Sequence, residues 1–180
     1  MVYFSDRYKT CPLCGSALAK TQITDSYRNA CPNSDCDFVD WNNPTPVVAA
    51  IPQKEDGVVL VQGIGWPKHW FSLVTGFLEK NETSQEGVRR EVNEELGLDC
   101  LATNLVGVYS FFQMNQVIIA YHVLLEEGEI TLDPTELVDH KTIPIDKLRP
   151  WPSGTGEAVR DWLKIKGVEN EPMPFGKPKK

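Results

Sequence analysis

The run "GFLEKNETSQEGVRREVNEELGL" (76–98) crowds Glu91, Glu94 and Glu95 against Arg90. Carboxylates three and four residues apart share one side of a helix and repel by a few tenths of a kcal/mol each. Partial burial raises that cost. A divalent cation reverses its sign, and Mg²⁺ or Mn²⁺ favours carboxylate oxygens together with water and phosphate. A second group is made of thiols: Cys11 and Cys14 in "CPLCG", Cys31 and Cys36 in "CPNSDC". Two thiol pairs so placed suit a tetrahedral zinc ion, and four thiolates leave it no open position for catalysis. The second pair is C-x4-C, a looser loop than C-x2-C. Disulfides are the alternative, and a reducing compartment disfavours them. Cys100 stands apart and reads as a packed thiol.

These residues need elements to hold them. Thr83 followed by Glu86 makes a capping box, and Gly97 is placed to stop a helix over 83–96. On its wheel Val88, Val92 and Leu96 form one stripe, successive members roughly 40° apart. Glu95 falls about 60° from the stripe's centre, Glu91 about 100° and Glu94 about 160°. Glu91 and Glu95 therefore flank the buried seam instead of pointing at open water. Strand-like runs at 47–51 and 58–62 are separated by "QKEDG", a hairpin turn. "FSLV" (71–74) reads as a short strand, and 104–112 and 116–126 as longer ones. "KTIPI" (141–145) reads as an edge strand because of its proline. A last helix over 155–166 carries Ala158, Val159, Trp162 and Leu163 on one face and closes at Gly167. Residues 1–43 are poor in aliphatic side chains, cannot pack a core and must be held by something else. "NNPTP" (42–46) marks their boundary. The remainder, 44–166, reads as a mixed α/β layered domain, and 167–180 as a disordered tail.

The spacing Gly76-x5-Glu82-x7-Arg90-Glu91-Val92-Asn93-Glu94-Glu95-Leu96-Gly97-Leu98 resembles the Nudix box, the signature of the Nudix hydrolases, at every one of its positions. The resemblance implies a loop–helix–loop in an α/β/α sandwich with a mixed sheet. It also implies hydrolysis of a nucleoside diphosphate linked to another moiety, of the ADP-ribose, NAD(H) or FAD type. On that pattern Glu91, Glu94 and Glu95, helped by the Gly76 carbonyl, would bind catalytic Mg²⁺ or Mn²⁺. Arg90, grouped with the catalytic residues, would pair with Glu82 to hold the loop against the helix, and Gly97 would close the box. Glu136 sits where the family often adds a further carboxylate; a solvated acidic turn is the alternative. The family usually has glycine before the box glutamate, and Asn81 stands there instead. Asparagine tolerates left-handed backbone angles.

A zinc ribbon of Cys11, Cys14, Cys31 and Cys36 ahead of such a domain resembles the NADH pyrophosphatase group. That group's "SQPWPFPxS" motif is missing, and "YSFFQMNQ" (109–116) stands in the corresponding stretch. Trp66, Trp70, Phe111 and Phe112 are candidates for stacking a nucleobase, and Lys68 and Arg89 for holding phosphate. His69, His122 and His140 show no catalytic spacing. A net charge of −7 and a pI near 5.0 disfavour broad nucleic-acid binding. The expected partner is a small nucleotide; a homodimer is left open. Two readings compete with hydrolysis of a free nucleotide: removal of an RNA cap with the ribbon binding RNA, and nucleotide sensing without cleavage. The longest apolar run, 117–125, is too short to span a bilayer, and no signal sequence opens the chain. A cytoplasmic location is the expectation.

Overall fold

The computed structural model describes residues 8–174. They divide into two compact units, 8–44 with 113–115, and 45–112 with 116–174.

The first unit is a three-stranded antiparallel sheet of β1 (Ala19–Ile23), β2 (Ser26–Ala30) and β3 (Val39–Asp40). Among its described residues only Cys11 and Ala30 are buried apolar side chains. That is far too little core to offset the entropy of ordering the segment.

The second unit holds six strands: β4 (Thr45–Lys54), β5 (Gly57–Gly63), β6 (Val74–Phe77), β7 (Cys100–Phe111), β8 (Gln116–Leu125) and β9 (Leu137–Pro144). Its helices are α1 (Ser84–Leu96) and α2 (Gly156–Ile165). The sheet order is β7-β8-β4-β5-β9, with β6 also paired to β4. Strand β4 runs parallel to β8 and antiparallel to its other neighbours, so the sheet is mixed. The apolar continuity of β4 follows from its central place, buried on both faces. Val48 and Ala50 pack under Val88, Val92 and Leu96 of α1. Their neighbours turn the other way: Ile51 lies in the cluster with Val159, Trp162 and Leu163 of α2, and Val47 and Ala49 with Ala158. In β5, Val59 and Val61 join the α1 side and Val58 and Leu60 the α2 side. The alternation puts one helix on each face, the α/β/α sandwich.

Two expectations change. The short strand expected at 71–74 begins at Val74 instead, because pairing with β4 runs Ala50↔Val74 to Val47↔Phe77 and draws Gly76 into the sheet. The tail expected to be disordered from 167 is tied back as far as Met173. Arg149 donates to the carbonyls of Glu171 (2.9 Å) and Pro172 (2.8 Å), and Met173 N–H to that of Pro150 (2.8 Å). Residues 175–180 lie outside the described residues. Pro144 ends β9 at the sheet's edge, where its missing N–H breaks no ladder. Among the described residues no helix is long and apolar enough to cross a membrane.

Candidate active site

Helix α1 starts as its sequence dictates. The Thr83 hydroxyl accepts from Glu86 N–H (3.2 Å), and the Glu86 carboxylate accepts from Thr83 N–H (2.8 Å). It stops at Gly97, whose φ of 67° is left-handed. Beyond that stop the acidic segment 126–136 takes over the helix's last carbonyls. Thr131 N–H donates to Leu96 (2.9 Å) and Asp133 N–H to Glu95 (3.3 Å). The Asp133 carboxylate, lowered in pKa by its bonds to Thr135, closes the turn that leads into Glu136. This bolted loop sets Glu136 close enough for its charge to act on both Glu91 and Glu95.

The carboxylates that the wheel put beside the seam are buried there. Glu95 is 6% exposed, and its Oε2 has no hydrogen-bond partner. Burial first, then the charges of Glu91 and Glu136, push its carboxyl up to about 8, against the pull of the Thr75 amide. Glu91 is also raised by burial, despite its ion pair to Arg90. Glu91 lies directly on Gly76: a Cβ at that glycine would stand 1.8 Å from the Glu91 carboxyl carbon. Glu94 is exposed and paired to Arg90 at 3.0 Å.

Arg90 organises the group. Its Nε and Nη2 grip Glu82 at 3.1 and 2.8 Å, a two-pronged pair. Nη1 reaches Glu91 (2.7 Å) and Glu94 (3.0 Å), and Nη2 also donates to the Phe77 carbonyl (3.1 Å). Glu82, its pKa lowered by Arg90, accepts a further bond from Glu79 N–H at 2.7 Å. Asn81 takes the left-handed φ of 70° that lets Glu82 face the helix.

Sequence reasoning missed Gly87 and Thr75. A Cβ at Gly87 would meet Glu82 Oε1 at 2.8 Å, so the Glu82–Arg90 pair needs that bare backbone. A glycine inside a helix costs about 1 kcal/mol against alanine, and that anomaly was the available signal. Thr75 carried none, because its part is played by a main-chain amide.

A cleft of about 350 Å³ opens beside Glu95, lined among others by Thr75, Thr135, Glu136 and Trp66. Of the four aromatic candidates the structure brings only Trp66 there. Trp70 is exposed outside the lining, Phe111 packs against the α2-side core, and Phe112 is 85% exposed elsewhere. Arg89 donates to the Cys100 carbonyl, and Lys68 is exposed outside the cleft. The donor chemistry at Glu95, a buried carboxylate with an unpartnered oxygen, suits a hard divalent cation. The other box ligands are not drawn around it: Gly76, Glu91 and Glu94 do not line the cleft, Glu94 is exposed, and among the described residues only the four cysteines form a metal-sized cluster.

In the first unit the four Sγ atoms of Cys11, Cys14, Cys31 and Cys36 lie within 4.8 Å of one another. The nearest pairs are Cys14–Cys31 at 3.4 Å and Cys11–Cys36 at 3.6 Å, far beyond a disulfide's roughly 2 Å. Zinc–sulfur bonds of about 2.3 Å in a tetrahedron place sulfurs about 3.8 Å apart, so the cluster fits zinc. The longer second knuckle still closes, because Cys36 N–H bonds the Asn33 carbonyl (3.0 Å) and Cys31 N–H that of Phe38 (2.9 Å).

A mixed sheet between two helices, with a charged box helix over one end, defines a class, and comparison with known proteins supplies its family. The NUDIX domain model matches residues 43–162, and the chain belongs to the NUDIX family. Among curated proteins it is 25% identical over 147 residues to the NAD-capped RNA hydrolase NudC of Pseudomonas putida, covering 82% of this chain and 52% of that one. It is 31% identical over 142 residues to the human NAD-capped RNA hydrolase NUDT12, covering 74% of this chain and 30% of that one. The chain thus spans about half the length of the bacterial relative and less of the human one. A NUDIX hydrolase from Nitrosomonas europaea has the same fold, with a TM-score of 0.73 at 23% identity over 92% of this chain and 95% of that one.

Proposed function

We propose that residues 44–166 form a Mg²⁺- or Mn²⁺-dependent hydrolase that cleaves the diphosphate of a nucleoside diphosphate linked to a second moiety. The observation that carries this reading is Glu95, a carboxylate 6% exposed with an unpartnered oxygen among like charges. Such an arrangement is unfavourable by itself and favourable around a cation. Glu91, Glu94, Glu95 and the Gly76 backbone would hold the metal. Bound there, it would neutralise the diphosphate oxygens and lower the pKa of the attacking water.

The chain's own residues do the positioning. Arg90, anchored on Glu82, holds the Glu91 carboxylate that lies on Gly76 and pairs with the exposed Glu94. Glu136, or Glu91 itself, takes the proton of the attacking water while the P–O–P bridge breaks and two phosphate products leave. Cys11, Cys14, Cys31 and Cys36 hold a structural zinc that stands in for the small core of residues 8–43.

The curated relatives are named for NAD-capped RNA, which favours an NAD-type dinucleotide among the possible substrates. It also supports a second reading, in which the dinucleotide is the cap of an RNA; the net charge of −7 weighs against a long RNA footprint. The test is a panel of ADP-ribose, NAD⁺, NADH, FAD and NAD-capped RNA with Mg²⁺, run with wild type and Glu95→Gln. Turnover of at least one substrate, lost in the variant, is expected. Equal inertness across the panel would remove the hydrolase reading, and cleavage of the capped RNA alone would favour the second.

A further inference from the structure

The cleft has a feature that the box does not explain. Strand β5 leaves its register with β9 at Gly63, where the pairing skips from Gln62↔Asp139 to Gly63↔Leu137. The chain then turns through Gly65 at φ 77°, and Trp66 N–H bonds back to the Gly63 carbonyl (3.2 Å). This turn lays the Trp66 indole on the buried backbone of Gly63. A Cβ there would meet Cε2 at 2.8 Å, Nε1 at 3.1 Å and Cδ2 at 3.2 Å. Three consecutive atoms of the five-membered ring at nearly equal distance, the fusion bond among them, mean contact through that ring's face. Trp66 remains 46% exposed and lines the cleft. The same turn is tied to the acidic wall, because Ile64 N–H donates to the Glu136 carbonyl (2.8 Å).

We infer that Gly63 is a specificity-determining residue: its bare backbone seats Trp66 as a shelf on which a heteroaromatic ring of the substrate stacks. The inference rests on the proposal that the neighbouring carboxylates bind the substrate's diphosphate. A shelf fixed to Glu136 by one hydrogen bond holds the ring at a set offset from that group. No lysine or arginine lines the cleft among the described residues, while Glu95 and Glu136 do. The ring is therefore neutral or cationic, as a nucleobase or pyridinium is, and the indole's electron-rich face suits both. Stacking on one aromatic side chain is the sequence-tolerant way to hold a base. Residue 63 then sets how strongly the enzyme distinguishes a ring-bearing diphosphate from a bare one.

Two uncleavable probes test this on the full chain with Mg²⁺: NAD⁺ with a methylene group in place of the bridging oxygen, and methylenediphosphonate, which has no ring. Calorimetry should find the dinucleotide bound more tightly by wild type. Trp66→Leu and Gly63→Val should each weaken the dinucleotide about tenfold and leave methylenediphosphonate unchanged, while Trp66→Phe keeps most of the preference. Gly63→Val is the sharper variant, since Trp66 is still present and only its seat is taken. Equal binding of the two probes by wild type, or retention of the preference by Trp66→Leu or Gly63→Val, would overturn the inference. So would equal weakening of both probes, which is the mark of general damage. Binding is read without turnover, so an active enzyme with an unchanged preference defeats the shelf alone, and an inactive one with a ring-dependent preference defeats the hydrolase reading alone.

Discussion

Replacing Glu95 with glutamine should stabilise the protein without added metal and destabilise it, relative to wild type, with metal present. The folded state holds the Glu95 proton more tightly than the unfolded chain does, at about 8 against the ordinary 4.5. The stability linked to that proton is complete below pH 4.5 and is lost as pH rises through 8. At about 1.4 kcal/mol per pH unit the loss has a ceiling of ~5 kcal/mol. The glutamine amide is neutral but leaves one polar atom unpaired, a residual cost of about 1–3 kcal/mol. A net gain of ~2 kcal/mol at pH 8.5 remains, which for a chain of this length raises Tm by roughly 4–8 °C. At pH 5 the folded wild type is protonated and its penalty has fallen below ~1 kcal/mol, so the variant's advantage should vanish and wild type should be at least as stable. Mg²⁺ at a hundred times its Kd should add about 2.7 kcal/mol to wild type and nothing to the variant, so the order inverts. The assay is thermal unfolding by circular dichroism after dialysis against buffer free of Mg²⁺ and Mn²⁺, with and without Mg²⁺ added back. If the variant melts lower than wild type at pH 8.5 without metal, or Mg²⁺ raises both equally, Glu95 is not a stranded ligand and the reasoning fails.

Three further outcomes follow from the same structure. Arg90→Lys keeps the charge but loses the fork that joins Glu82, Glu91, Glu94 and the Phe77 carbonyl; kcat should fall about 10- to 100-fold, as for other groups that orient metal ligands, and a fall of less than threefold would refute the positioning role. Metal analysis of wild type should find near-stoichiometric zinc, and Cys14→Ser should abolish it and raise amide exchange across 8–44, whereas retained zinc would mean that three thiolates suffice. His122, stacked near Trp162 and bonded to Gln53 at 2.8 Å, is lowered to about 4 by burial and then by Lys166. Its neutral form gives stability that is present above pH 6.5 and lost as pH falls toward 4, about 1–2 kcal/mol after allowing for its partial exposure; His122→Gln should flatten urea-unfolding stability over that window, and an unchanged slope would assign the acid sensitivity elsewhere.

What the sequence revealed and what it hid divide along one physical line. The box was legible because each of its positions acts through a fixed offset within one helix and the loop before it. Thr83 with Glu86, the Val88–Val92–Leu96 stripe and the left-handed stop at Gly97 are local events, set by short-range geometry. The pairing of Glu82 with Arg90 could be named on family resemblance, although its dependence on Gly87 could not, because a missing side chain says nothing about what approaches it. The layered α/β class was legible in the order of strands and helices, but which side chains of β4 and β5 face which helix was not, because both runs are apolar throughout; and β6 slid from 71–74 to 74–77, since four residues have no register until β4 supplies one. The cleft was least legible. Trp66, Trp70, Phe111 and Phe112 look alike in sequence, and long-range packing assigns them different roles: Phe111 to the core, Trp70 and Phe112 to solvent, Trp66 to a seat on Gly63. Glu136 is the intermediate case. Its charge was visible in the chain, and its proximity to Glu95 exists because Thr131 and Asp133 cap the carbonyls that α1 leaves unpaired. Helix capping, normally a matter of stability, here delivers a carboxylate to the cleft. Substrate choice in such a domain is therefore tied to how its helix ends and its strand bulges are finished, and a close relative can keep the whole box while reading a different ring.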